Sequence, residues 1–314
     1  MEVVLAAGGG TYPLQRLYRF REIALLNKWF HVFVGIIFSA LALTGSANEA
    51  QNTLDKIKER GKMTVCADPY SYPYSVKNVT PPGFDVEIMG ELARLGGFEL
   101  EMYWADTGTR GGMSRALRNS MLKGRCHLFA GVGDNGDDDV LMGQMKFTQA
   151  YMSVGYVMVT QNQASDMTIK EIIDAGMPIG VQMSTPMDDW LHTRGIKRAL
   201  QADNARVMRD MVRGDTDVAI VFSHAPSQAK RVHPEATFKL SENYSAAALY
   251  AALDEEYIAE GLGQQLWDLK FVVRKQDRTF LDFINKGIET LTENGTIAKL
   301  VEKYDVPYFP PLED

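Results

Sequence analysis

Cysteine is nearly absent: Cys66 and Cys126 are the only two among 314 residues, and they make no C-x-x-C pair. That excludes a thioredoxin-type motif and a zinc ribbon, which need closely spaced thiols. The five histidines (His31, His127, His192, His224 and His233) include no H-E-x-x-H and no i,i+4 pair. No catalytic metal and no cofactor is therefore expected. Positive charge is also short, with 33 lysines and arginines against 40 acids and a formal net charge of −7. With no basic stripe to neutralise phosphates, nucleic acid is not an expected partner. Long apolar runs are scarce as well. The main one, residues 29–43, is shorter than the roughly 20 residues a membrane-spanning helix needs.

That short run has informative flanks. Arg16, Arg19, Arg21 and Lys28 precede it, and Thr44, Gly45, Ser46 and Ala47 follow it. A basic region, an apolar core and small residues are the parts of a secretory signal, so residues 1–47 read as a targeting segment with cleavage near Ala47. The polar lead of residues 1–27 leaves a retained membrane anchor as the alternative.

The chain after it is organised around one loop. An apolar strand, Met63-Thr64-Val65, runs into Cys66-Ala67-Asp68 and is broken by Pro69 and Pro73. Proline fixes φ and removes a ladder donor, so the strand ends there. Tyr70, Tyr72 and Tyr74 then alternate, each with an apolar ring and a polar tip. A helix is expected over 83–97, with Phe84, Ile88, Leu92 and Leu95 on one face and Gly96 as its stop. Strand, loop and helix place the tyrosines at the carboxyl edge of a parallel sheet, where α/β proteins bind ligands. Asp68 is read as organising the turn with Pro69.

The pattern continues with a strand over 98–104, a turn through Thr107, Thr109 and Arg110, a helix over 113–123 and a strand over 125–131. This β-α-β-α-β order marks an α/β chain with a parallel sheet. Asp134, Asp137, Asp138 and Asp139 follow; their spacing does not match a calcium loop, and a solvated acidic loop is expected. A strand over 155–159 marks a crossing into a second lobe. There Ser184 and Thr185 open a helix, with Pro186 at its first position and Asp188 to complete a capping box. Asp188 and Asp189 occupy that helix dipole and argue against an anionic ligand. A buried strand over 217–222 ends on Phe222, which should face the cleft. The chain returns with a strand over 269–274 and helices after Phe280 and from Thr296.

Taken in order, Gly61-Lys62-Met63, the aromatic loop, Gly83-Phe84-Asp85-Val86, Phe147-Thr148-Gln149-Ala150-Tyr151, Gly180-Val181-Gln182 and Asn294-Gly295-Thr296 resemble a type II periplasmic solute-binding protein of the polar amino-acid class. The resemblance runs from about residue 52 to residue 304. It implies a two-lobed fold, each lobe a mixed, mostly parallel sheet flanked by helices. Lobe 1 would comprise 48–156 and 266–314, and lobe 2 would be 157–265. It further implies a periplasmic, non-enzymatic binding protein that closes on a ligand. Members of that class hold the ligand carboxylate with an arginine before the Phe147 landmark, and its ammonium with an aspartate at the Phe222 position. This chain has no arginine over 131–146 and carries Phe222 itself.

Those departures, with Cys66, Pro73, Trp104, Gly124-Arg125-Cys126 and Tyr156, resemble a narrower branch: the binding proteins associated with periplasmic quinoprotein (methanol) dehydrogenases. His127 and the acidic insertion depart from that branch. The branch implies a dehydrogenase as partner and accessory binding as the role. The wider class implies an ABC permease as partner and a small-molecule ligand, an amino acid or another small solute. A lyase on the same fold is the third class, but no nucleophile–base pair is present. The cleft residues expected are Asp68, Tyr70, Tyr72, Tyr74, Thr109 and Arg110 from lobe 1, with Ser184, Thr185 and Phe222 from lobe 2. The resemblance makes the strands of Cys66 and Cys126 neighbours; a disulfide and two buried thiols both remain open.

Overall fold

A single strand of sixteen residues, Met145–Thr160, carries the chain from one lobe into the other in the computed structural model, which describes residues 52–134, 141–241 and 266–312. Residues 1–47, expected to be a targeting segment, and Asp137, Asp138 and Asp139 lie outside those residues. No helix among the described residues is long and apolar enough to cross a membrane.

The first lobe opens with α1 (Thr53–Arg60), which the Asn52 side chain caps by accepting from the Asp55 amide. Gly61 ends it in the left-handed region at φ 71°. Strand β1 (Lys62–Ala67) follows, then a small ribbon of β2 (Tyr70–Ser71) and β3 (Ser75–Val76). Helix α2 (Phe84–Leu95), β4 (Glu99–Trp104), α3 (Gly112–Ser120) and β5 (Leu128–Asp134) complete the β-α-β-α-β unit. Strand β1 lies parallel to β4 and to β5.

The long strand is β6, and the second lobe is built on its far end. In chain order come α4 (Ile169–Asp174), β7 (Ile179–Gln182), α5 (Pro186–Thr193), β8 (Arg198–Gln201), α6 (Asn204–Arg213), β9 (Val218–Phe222), α7 (Ala225–Val232) and β10 (Lys239–Leu240). The chain returns as β11 (Leu266–Arg274), α8 (Arg278–Glu293) and α9 (Thr296–Glu302). The strand order is β4-β1-β5-β11-β6-β9-β7-β8, with β10 also on β6. Strand β6 pairs antiparallel with β11 as far as Gly155, then antiparallel with β9 from Tyr156. Strand β7 is parallel to both β9 and β8.

Each lobe has its own core. Phe84, Ile88, Leu92, Tyr151, Phe271 and Ile284 are buried together in the first, and Ile172, Val181, Met187, Leu191 and Ile220 in the second. Burial of each such side chain contributes about 1.5–3 kcal/mol against leaving it in water. Leu95, expected on the buried face of α2, is 42% exposed, because it stands at the end of the last turn. Two rings, Phe222 and Trp267, pack against both cores. The space between the lobes is thus walled by residues that each lobe holds in place.

Candidate functional site

Where β1, β5 and β9 end, a cavity of about 260 Å³ opens between the lobes. Asp68, Tyr74, Asp85, Thr107, Phe222 and Trp267 supply the side chains that matter chemically on its wall. A wider groove of about 550 Å³ lies between α6 and α7, but it is walled by helix residues with no strand end among them. The strand-end cavity is the one the α/β rule favours.

Asp68 leaves β1 and stitches the aromatic loop together. Its Oδ1 accepts from the Tyr70 amide at 2.7 Å, and its Oδ2 accepts from the Thr107 amide at 2.6 Å and from the Thr107 hydroxyl. Ser75 Oγ donates to its carbonyl at 2.7 Å. That network turns Tyr74 inward. Tyr74 stands edge-on to Phe84 at 4.9 Å, and its hydroxyl shares a hydrogen bond with His224 Nδ1 at 3.3 Å. Burial pushes the Tyr74 hydroxyl well above its ordinary range, so the group stays neutral.

Asp85 is the unexpected member. It sits in the first turn of α2, where a carboxylate suits the helix dipole, yet only 1% of it is exposed. Tyr151 Oη donates to its Oδ1 at 2.7 Å. Its Oδ2 lies against Gly131, at whose left-handed φ of 67° an added Cβ would come within 2.8 Å of that oxygen. Burial, opposed by the Tyr151 bond, raises the Asp85 pKa to about 7. Burial also lowers His224 to about 4, so its imidazole is neutral at ordinary pH.

These shifts set opposite pH dependences. His127 and His224 are both lowered to about 4, so their contribution to stability is present above about 6.5 and is lost as pH falls through about 4. Asp85 is raised, so its contribution is present below about 4 and is lost as pH rises through about 7. An Asp85→Asn variant should therefore gain stability relative to the parent as pH rises from about 4 to about 8, in urea melts at each pH. A pH-independent difference would show that Asp85 keeps an ordinary pKa.

The crossing strands β6 and β11 and the second lobe's β9 contribute rings. Phe222 and Trp267 have centroids 5.6 Å apart at 33°, and Tyr156 backs both at 5.7 and 6.1 Å. Burial raises the Tyr156 hydroxyl above its ordinary range, opposed by Thr185. Thr185 thus acts from behind the rings, as well as capping α5 by accepting from the Asp188 amide at 3.2 Å.

The expected cleft residues divide accordingly. Asp68, Tyr74 and Phe222 are on the cavity wall. Tyr70 is not: it is 78% exposed, because β2 and β3 pair and turn its ring outward. Tyr72 instead ties the loop to α7, with the Arg231 guanidinium 4.2 Å from its ring centroid and Gln228 donating to its carbonyl at 2.6 Å. Thr109 and Arg110 are exposed, since Thr107, two residues earlier, makes the contact with Asp68. Ser184 is exposed, and its amide donates to Asp188 Oδ2 at 2.8 Å. Asp188 also pairs with Arg198, so it is not the unopposed charge that the sequence suggested. The carboxyl groups on the cavity wall are Asp68 and Asp85 instead. Arg110→Ala should accordingly leave both melting temperature and solute affinity nearly unchanged; more than a tenfold loss of affinity, about 1.4 kcal/mol, would contradict this placement.

Two wall residues escaped the sequence reading. Trp267 precedes the strand expected at 269, whereas β11 begins at Leu266. Asp85 has a signal that could have found it: with Met89 and Leu92 it makes an i, i+4, i+7 line, and both of those are buried. Cys66 and Cys126 form a disulfide, with Cα atoms 5.7 Å apart.

Comparison with known proteins places this geometry. Residues 63–306 match the family described as bacterial extracellular solute-binding proteins, family 3. The chain is 21% identical over 286 residues to the arginine-binding extracellular protein ArtP of Bacillus subtilis, covering 89% of this chain and 98% of that one. Among solved structures, it resembles a polar amino acid ABC uptake transporter substrate-binding protein from Streptococcus thermophilus (TM-score 0.60, 17% identity, 81% of this chain and 89% of the other). It also resembles the L-cystine solute receptor of Neisseria gonorrhoeae in its unliganded open conformation (TM-score 0.59, 17% identity, 79% and 96%). The match over most of its length makes this chain a member of the bacterial extracellular solute-binding proteins, family 3.

Proposed function

We propose that the protein is an exported solute receptor that delivers a small uncharged or cationic molecule to an ABC permease. The observation that carries this reading is the cavity wall: four aromatic rings, two carboxyl groups, and no lysine or arginine among the described residues that line it. A buried carboxylate on a ligand would find no cation there, and leaving a buried charge unpaired is costly. In this reading residues 1–47 direct export to the periplasm. Lobe 2, over 157–265, swings against 48–156 and 266–314 on the β6 crossing. Family membership and the importer proteins among the structural relatives support it.

A thermal-shift screen of the protein against amino acids, amines, alcohols and dicarboxylates tests this directly. A solute that binds only the native state raises the melting temperature by mass action. A shift with uncharged or cationic solutes is expected. A shift with dicarboxylates alone would overturn the reading.

A second reading is service to a periplasmic quinoprotein (methanol) dehydrogenase. The Cys66–Cys126 disulfide favours it, because the branch resembled has both cysteines in these contexts. So does Phe222 in place of an ammonium-holding aspartate. Capture of the dehydrogenase by a protein that no solute shifts would establish this second role.

A further inference from the structure

The ring arrangement narrows the solute further, granted the receptor reading. Tyr74, Phe222 and Trp267 reach the cavity from three separate elements. His224 joins Tyr74 to Phe222, at 5.6 and 5.3 Å between centroids, and being neutral it adds no positive charge to the arc. Tyr156 braces Phe222 and Trp267 from behind. Aromatic faces turned to a desolvated space attract cations through the ring quadrupole, most strongly at tryptophan.

The two carboxyl groups differ in what they have left to offer. Both Asp68 oxygens already accept from Thr107 and Tyr70. Asp85 gives one oxygen to Tyr151, while the other lies against Gly131 at the cavity wall, where an added Cβ would come within 2.8 Å of it. A primary ammonium would bring three N–H donors, each needing an acceptor, to a wall whose Asp68, Ser75 and Thr107 are already hydrogen-bonded to one another. A methylated ammonium has few or none, and spreads its charge over methyl groups that pack on rings. A zwitterionic amino acid would still bury an unpaired carboxylate.

We propose that the solute is a methylated organic ammonium without a carboxylate, its head set against the ring faces of Tyr74, Phe222 and Trp267, with Asp85 as counter-charge. The position that holds the ammonium in the resembled class is Phe222 here, so the counter-charge has moved to the start of α2. Binding the cation favours ionised Asp85, so affinity rises with pH through about 7 and protons are released below it.

Calorimetric titration of the full chain with choline, its uncharged dimethylbutanol isostere, L-arginine and L-glutamine tests the proposal. Choline should bind, and the isostere about 30-fold more weakly, the factor that a desolvated cation–π contact of about 2 kcal/mol supplies. Trp267→Leu should weaken choline by a similar factor, while Trp267→Phe, which keeps a ring, should lose less. Asp85→Asn should weaken choline and abolish the pH dependence; if that variant does not fold, the tryptophan pair and the pH profile of the parent decide. Equal binding of choline and the isostere overturns the selection of charge. Binding of arginine or glutamine but not choline overturns the solute class and leaves the receptor reading intact. Silence of choline, together with no shift across the wider solute screen, brings down both.

Discussion

Gly83→Ala is expected to destabilise the protein by roughly 3 kcal/mol or more, and to cost solute affinity beyond that, because backbone strain and a backbone clash fall at one residue. Gly83 has φ 111°, a conformation side chains rarely adopt. A Cβ there would stand 2.3 Å from the Tyr74 carbonyl oxygen and 2.7 Å from the Ser75 amide nitrogen, both of them backbone atoms. Gly96 also lacks room, but the atoms in its way belong to the Phe98 side chain, which can rotate. Around Gly83 the loop and helix are locked: its amide donates to Tyr304 Oη at 2.8 Å, and the Phe84 and Asp85 amides donate to the Pro73 and Tyr74 carbonyls at 3.0 Å. Moving Tyr74 to admit a methyl group would shift both a cavity ring and the turn that carries Asp85. Urea denaturation measures the effect; a change within about 0.5 kcal/mol would mean the loop yields freely.

Removing the Cys66–Cys126 disulfide should cost about 4 kcal/mol, the chain-entropy value for a closed loop of this size. The bridge spans 60 residues and joins β1 to the approach of β5, two strands that already pair at Val65–Leu128 and Cys66–Phe129. Both cysteines are buried, beside Leu117, Met121 and Phe129. A Cys66→Ala/Cys126→Ala pair avoids placing new hydroxyls there. At roughly 2–4 °C per kcal/mol for a chain of this length, the melting temperature should fall by about 10 °C. A fall of under ~2 °C would show that the native packing of the two strands already holds the ends together without the bridge.

The lobe-1 alternation of strands and helices was legible in the residues, because Gly61, Gly96 and Gly124 punctuate it and Ile88 and Leu92 keep helical spacing. Strand β6 was less so. Its middle carries no turn residue except Gly155, the point where its partner changes from β11 to β9. The sequence therefore read as a short strand at 155–159 with a lead-in, whereas one continuous strand serves both lobes. Strand β8 and helix α7 leave no legible pattern, since Arg198–Gln201 is too short for a period and α7 begins Ala-Pro-Ser after a strand end. In the cleft, Phe222 was placed by strand length alone. Tyr70 and Tyr72 failed the expectation of three inward tyrosines because the β2–β3 ribbon and α7 each take one. Asp85 was hidden by its role as an ordinary first-turn acid, and Trp267 by a strand start set three residues late.

Tryptophan fluorescence tests the central claim, that a small non-anionic solute lies in the cavity beside Trp267, most directly. The chain has four tryptophans, so the parent and a Trp267→Phe variant would be titrated side by side with the solutes that shift the melting temperature. A saturable change with uncharged or cationic solutes that disappears in Trp267→Phe, while calorimetry still detects binding, is the result expected. An unchanged signal in the variant, or saturation only with dicarboxylates, would place the solute elsewhere and contradict the account.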